Sequence, residues 1–184
     1  MDRHFYHNPH LNERRNNTYA VVIYLPLQLN KIIYPLRERF DPDYNLVDSH
    51  ITLVLPFDSE KSLDEMAVMI KSELDAFAPF KIKMGSIADF YPEAPVIYWE
   101  VLKNEIIEEL YNNLNKRLGI EIRHDYQSHV TIAREISNHR KIFVKDIIAS
   151  YLSQEILYVE NVDLITPLSD RKWVSVRRFK LTDN

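Results

Sequence analysis

The sequence predicts an α+β fold made of duplicated β-α-β-α-β units, forming two lobes with antiparallel sheets around a central cleft. Three observations carry this expectation. The series strand–helix–strand–helix–strand can be read twice, at about 19–91 and again at about 95–181. The middle strand of each copy opens on Ser-His-x-Thr, as Ser49-His50-Ile51-Thr52 and as Ser128-His129-Val130-Thr131. The histidines of the two motifs stand 79 residues apart, close to half of the periodic chain, so matched motifs at matched places mark an internal repeat.

Each element has its own signal. Residues 1–17 are polar, rich in Asn and Arg, and aperiodic, so they read as a flexible arm ahead of a single domain at 18–184. His4, His7 and His10 recur every third residue there, but a flexible arm offers a metal no fixed geometry. Ala20-Val21-Val22-Ile23-Tyr24-Leu25 has the pattern of a buried strand, closed by Pro26. A helix follows to about Phe40 with Ile32, Ile33, Leu36 and Phe40 on one face, and Pro35 predicts a kink or a late start. Asp41-Pro42-Asp43 turns the chain, and Ser49 to Leu55 forms the second strand, ended by Pro56. Ser62 opens a capping box with Glu65, ahead of the stripe Leu63, Met66, Ala67, Ile70 and Leu74. Phe80 to Tyr91 is the third strand.

After the turn at Pro92-Glu93-Ala94-Pro95 the order restarts. Val96 to Val101 is a strand, and Asn104 caps a helix with Ile106, Ile107, Leu110 and Leu114 inward, closed by Gly119. Ser128 to Ala133 is the motif strand, and Ser137 caps a helix reaching about Leu152. Glu155 to Thr166 forms one strand, and Lys172 to Leu181 adds another by hairpin.

Composition narrows the function. At 184 residues with 46% hydrophobic content, the chain can bury one substantial core. No apolar run approaches membrane-spanning length, and the polar, mixed N-terminus has no secretory signal pattern. Cysteine is absent, which excludes a disulfide scaffold and thiol catalysis and fits a reduced, cytoplasmic location. The net charge of −4 lacks the signature of a general nucleic-acid binder. Basic residues bunch at Arg37 and Arg39, at Arg134 with Arg140 and Lys141, and at Arg171, Lys172, Arg177 and Arg178, clusters that could build a local anion site but by default read as solvated faces. Only Gly85 and Gly119 occur, so no P-loop or dinucleotide-binding turn exists and side chains must hold any phosphate.

On a strand, residues i and i+2 share a face. Each motif therefore sets an imidazole beside a hydroxyl, His50 with Thr52 and His129 with Thr131, while Ile51 and Val130 turn inward. A lone strand histidine is more often structural, but two matched pairs facing one cleft suit in-line displacement at phosphorus. One imidazole takes a proton on the attacking side while the other gives one to the leaving oxygen, and the threonines donate to non-bridging oxygens. Arg134 is a possible substrate contact, though strict alternation from His129 turns it away from the cleft. Phe57, Tyr91, Tyr98 and Trp173 are candidates for stacking a base, with Tyr98 and Trp173 favoured. His124 and Asp125 beside the second motif have no counterpart in the first and read as surface residues, which leaves no metal set.

These residues resemble the 2H phosphoesterase superfamily, the 2′-5′ RNA ligase and cyclic phosphodiesterase group, whose two H-x-[ST] motifs match His50-Ile51-Thr52-Leu53 and His129-Val130-Thr131-Ile132. The similarity covers about Tyr19 to Leu181 and is greatest to a small bacterial branch, through Arg37-Glu38-Arg39-Phe40-Asp41-Pro42 and Val96-Ile97-Tyr98. Ser49 and Ser128 stand where a proline often precedes the family histidines. The resemblance implies a bilobal fold, no required cofactor, a nucleotide or RNA-end substrate, and hydrolysis of 2′,3′-cyclic phosphates or, in some members, RNA-end joining. It implies neither a membrane nor an obligate protein partner. A phosphate-binding module without turnover and a metallohydrolase are the competing classes. The first has no need of all four motif residues, and the second lacks a third ligand.

Overall fold

The apolar pattern resolves into alternating strands and helices in a computed structural model that describes residues 17–123 and 125–182. The first unit is β1 (Asn17–Tyr24), α1 (Leu27–Phe40), β2 (His50–Ser59), α2 (Leu63–Leu74) and β3 (Phe80–Asp89). The second is β4 (Val96–Val101), α3 (Glu105–Leu118), β5 (His129–Arg134), α4 (Lys141–Ala149) and β6 (Ile156–Val159), with a short 3-10 turn at Asn138–Arg140 before α4. Two further strands, β7 (Asn161–Pro167) and β8 (Trp173–Lys180), close the chain. The arm expected at 1–17, with its three histidines, lies outside the described residues except for Asn17, which already belongs to β1.

All strands join one eight-stranded sheet in the order β6-β3-β4-β5-β2-β1-β7-β8, and every pairing is antiparallel. The motif strands β5 and β2 are its centre. Outward from that centre the halves match, but each holds a strand from across the repeat boundary: β3 pairs with β4, and β7 pairs with β1. Helices cross the same boundary, since α1 of the first unit packs on β5 and α3 of the second packs on β2. The main core lies between the sheet and these helices, around Ile51, Leu53, Trp99, Leu110 and Val130. On the other face of the sheet a smaller apolar cluster gathers Ala20, Val22 and Ile165, with Tyr24, Val47 and Trp173 against it.

Local chemistry explains where the expected boundaries hold and where they move. Ser62 accepts from the Glu65 N–H while the Glu65 carboxylate accepts from the Ser62 N–H, completing the capping box. Asn104 caps α3 through the Ile107 N–H, and Gly119 ends it at φ 71°, a left-handed conformation that glycine adopts without a Cβ clash. Pro35 sits inside α1, which starts at Leu27 rather than late. Ile32 and Ile106 face solvent, and Arg37 takes a buried place on α1 instead. Strand β2 runs through Pro56 because the ladder with β1 already shifts register between Val54 and Phe57, so no regular hydrogen bond is demanded of the proline. The single strand expected over Glu155 to Thr166 breaks at Glu160 because its ends take different partners, β3 for β6 and β1 for β7.

Buried Asn115 on α3 donates to the Leu53 carbonyl at 3.0 Å and to the Tyr111 carbonyl at 2.7 Å. Leu53 is the extra residue where β2 shifts against β1, between the pairs Val22–Thr52 and Val21–Val54, so the amide reaches the backbone at this irregularity. Asn115→Ala is expected to cost about 1–3 kcal/mol by orphaning that carbonyl. Urea unfolding should show a lower midpoint at unchanged slope.

Candidate active site

Strands β2 and β5 meet through the register pair Ile51–Val130, the middle residues of the two motifs. With the antiparallel sense, this sets His50 on the side of Thr131 and His129 on the side of Thr52. Ile51 and Val130 are buried in the main core, while all four motif side chains are half-buried on the other face. The structure thus brings His50, Thr52, His129 and Thr131 into one cluster.

Both imidazoles are held alike. Nδ1 of His50 lies 2.7 Å from the Asp48 carbonyl, and Nδ1 of His129 lies 2.7 Å from the Gln127 carbonyl. A carbonyl can only accept, so each Nδ1 carries the proton and each Nε2 presents its lone pair. Burial pushes the His50 pKa down to about 4; the Asp48 carbonyl opposes this, and the positive fields of Arg37, Arg134 and His129 reinforce it. His129 is also lowered, chiefly by burial, with Arg134 adding to the effect.

Arg134 is on the cleft side, against the expectation from alternation. Tyr98 pairs with Thr131 and Ile97 with Ala133, which leaves Ile132 as an extra residue in β5. This bulge turns both Ile132 and Ala133 into the core, so Arg134 returns to the face of His129 and Thr131. The same shift occurs at Leu53 in the first motif, where Val54 joins the core and Leu55 becomes exposed. The Arg134 guanidinium reaches Asp41 at 2.9 and 3.0 Å. Asp41 also accepts from Arg37 Nε at 3.0 Å, and Arg37 donates to the Val47 carbonyl at 2.7 Å. Arg37 and Asp41 are 4% and 0% exposed at their side chains, whereas Arg134 is 30% exposed.

The aromatic candidates separate. Tyr98 stacks on Phe90 at 4.2 Å, and both rings contact His129, at 5.1 and 4.9 Å. Trp173 lies across the sheet in the small cluster with Tyr24, whose ring meets His50 edge-on at 6.2 Å. Phe57 packs on Tyr19 and the main core, and Tyr91 lies under the Lys141 ammonium, so neither joins the motif cluster. His124 lies outside the described residues, and Asp125 pairs with Arg123. Among the described residues no three His, Asp or Glu side chains gather as a metal-ion set. Sequence reasoning passed over Phe90 and Tyr24, read Arg37 as part of a solvated basic cluster, and met Asp41 only as part of a turn and of the Arg37 to Pro42 segment. The i,i+4 spacing of Arg37 and Asp41 was a signal for an ion pair on α1.

The sequence profile described as "2'-5' RNA ligase superfamily" matches residues 25–171. The chain belongs to this superfamily. It is 27% identical over 166 residues to a Geobacillus kaustophilus protein named "Putative phosphoesterase", covering 88% of this chain and 94% of that one. A Staphylococcus aureus protein of the same name is 27% identical over 151 residues, covering 79% and 88%. In fold, the crystal structure of E. coli LigT with 3′-AMP superposes at a TM-score of 0.66 and 15% identity, over 91% of this chain and 99% of that one. A Thermus thermophilus structure gives 0.62 at 15% identity, over 91% and 100%. The mixed helix and antiparallel-sheet architecture is thus the LigT-like fold.

In this superfamily member the Arg37–Asp41–Arg134 network makes a specific demand on stability. Asp41→Asn would leave two guanidinium groups facing each other without their shared countercharge. Breaking such a buried pair is expected to cost roughly 3–5 kcal/mol. Thermal unfolding of the variant should show a clear loss, and Arg134→Gln, which removes the more exposed partner, a smaller one.

Proposed function

We propose that the chain is a metal-independent phosphoesterase that hydrolyses a cyclic phosphodiester, a 2′,3′-cyclic nucleotide or RNA end. The observation that carries this reading is the matched pair of imidazoles, each with Nδ1 tied to a carbonyl and Nε2 left for proton transfer, each beside a threonine. Superfamily membership and the nucleotide bound by E. coli LigT support the substrate class.

In the proposed reaction, water attacks phosphorus in line with the departing ribose oxygen. One Nε2 takes the proton of the attacking water as its oxygen bonds to phosphorus. The other, protonated, gives its proton to the ribose oxygen as the bond to phosphorus breaks. Opening at the 3′ oxygen leaves a 2′-phosphate. Thr52 and Thr131 donate to the non-bridging oxygens, and Arg134 offsets their charge. A ribose 5′-hydroxyl in place of water would make the same step a ligation. The four 2′,3′-cyclic mononucleotides, with products read by phosphorus NMR, test the reaction directly.

With EDTA present throughout, His50→Ala and His129→Ala should each lower turnover by roughly two to four powers of ten. Thr52→Val and Thr131→Val should cost less, because each deletes one hydroxyl and keeps the strand shape. Undiminished turnover in either alanine variant, or activity restored only by a divalent ion, would remove this mechanism.

The pH dependence has a defined side. One imidazole must be neutral and the other protonated in the free protein, so kcat/KM should be bell-shaped, with limbs belonging to the coupled pair. His50 lies at about 4 and His129 below its reference, so the maximum should fall on the acid side of about 6.5. A bound phosphodiester anion favours both protonated forms, so the kcat profile should shift alkaline of the kcat/KM profile. Steady-state kinetics across pH check both statements, and a monotonic rise with pH would contradict them.

A further inference from the structure

Strands β2 and β5 share the register pair Ile51–Val130, so backbone pairing alone does little to hold the two motifs together. Just past Ile51, two consecutive β2 carbonyls are taken by side chains of the second unit. The Leu53 carbonyl accepts from Asn115, and the Thr52 carbonyl accepts from the Tyr126 hydroxyl at 2.9 Å. Tyr126 belongs to the segment that leads into β5 and stands three residues before His129. Its hydroxyl thus ties the approach to one motif onto the backbone of the other.

That hydroxyl is kept as a donor. The Tyr126 ring stacks on Tyr111 of α3, with centroids 3.8 Å apart and planes at 8°, and packs against the main core. Burial, with Tyr111 alongside, pushes the Tyr126 phenol well up, so its proton stays on the oxygen at working pH. Tyr111 also holds the start of the same segment, since its hydroxyl accepts from the Arg123 N–H at 2.8 Å. Between Tyr126 and β5 lies Gln127, whose carbonyl stands 2.7 Å from Nδ1 of His129. The first motif is held differently at the matching place. Val47, three residues before His50, is fixed by Arg37 at its carbonyl, and the next carbonyl, that of Asp48, takes Nδ1 of His50. A carbonyl orients a ring only as well as its own segment is held, so each imidazole depends on a separate anchor.

We propose that Tyr126 is a positioning residue for His129 and Thr52: its hydroxyl, backed by the Tyr111 ring, locks the Gln127 carbonyl against Nδ1 and keeps the Nε2 lone pair turned to the cleft. The effect on turnover rests on the phosphoesterase reading above, whereas the effect on the imidazole tautomer does not. Tyr126→Phe deletes the hydroxyl and keeps the ring, its stack and its core contact. Two measurements are made on the full chain. Imidazole nitrogen chemical shifts, recorded by NMR well above the histidine reference of about 6.5 so that the rings are neutral, give the tautomer of each ring. His50→Ala and His129→Ala identify the two sets of signals. Steady-state kinetics on the four 2′,3′-cyclic mononucleotides give kcat and KM. Asn115→Ala is the control, because it frees the neighbouring Leu53 carbonyl and leaves the segment before His129 untouched.

In the native chain both rings should carry the proton on Nδ1. In Tyr126→Phe, His129 should become a mixture of tautomers while His50 stays as it is. The kcat should fall roughly ten-fold or more with KM little changed, since displaced proton-transfer groups lose rate steeply. Should Tyr126→Phe fail to fold, Tyr111→Phe, which releases Arg123, decides in its place through the same shift at His129. An unchanged His129 tautomer, an equal change at His50 or in Asn115→Ala, or a lost tautomer with undiminished kcat would overturn the proposal. If the native chain hydrolyses none of the four substrates and Tyr126→Phe still loses the His129 tautomer, the anchor stands and the hydrolase reading falls.

Discussion

The register of Ile51 against Val130 is the constraint on which the site depends. These are the middle residues of the two motifs, and both are buried between the sheet and the helices. Side chains alternate along a strand, so a slip of one residue in either strand would carry an imidazole into the core and an aliphatic chain into the cleft. The apolar pair thus fixes which way two polar pairs point. The helices hold the register from behind, with α1 on β5 and α3 on β2, each from the opposite repeat. Exchange of β3 and β7 across the sheet ties the halves further. The proton transfer proposed for these groups would require this kind of over-determination, since small displacements lose much of the rate.

The bulges after the motifs show how a symmetric backbone produces an asymmetric site. In each case the fourth motif residue, Leu53 or Ile132, is unpaired in the ladder, and the residue after it also enters the core. The next side chain then swings to the cleft face. In the first half that side chain is Leu55, which is exposed, and in the second it is Arg134, which meets Asp41 at the end of α1. One backbone device used twice therefore delivers a cation at one place only. That cation is anchored by a residue of the other repeat, so the electrostatics of the cluster exist only in the interlocked fold.

Much of this was legible in the sequence because it is local. The capping box at Ser62, the Asn104 cap, the glycine stop at Gly119 and the strand Val96–Val101 are set by neighbours within a few residues. The motif quartet was legible because its repetition is a pattern. Strand exchange was not, because alternation encodes which face is buried and says nothing about which strand lies alongside. Arg134 was turned the wrong way for a related reason, since a bulge is a property of the pairing between β4 and β5. Arg37 looked like a surface cation, but Asp41, the Val47 carbonyl and the Asp43 carbonyl together supply the partners that let a guanidinium be buried.

The electrostatics around the imidazoles also bear on how the proposed cycle resets. Hydrolysis leaves the base protonated and the acid neutral, the reverse of the starting state. Recovery needs a proton to leave one Nε2 and another to reach its partner, because each Nδ1 is committed to a carbonyl. Burial and nearby guanidinium groups disfavour the charged form of His50 once the anion departs, so a proton taken during attack is readily given up. Both histidines are half-buried rather than sealed, which leaves the route to water that this exchange requires. The positive field of Arg134 thus acts in opposite senses at two stages. In the proposed cycle it would attract the phosphodiester, whose charge would support protonation of the acid, and after product loss it would drive the spent base back to neutrality.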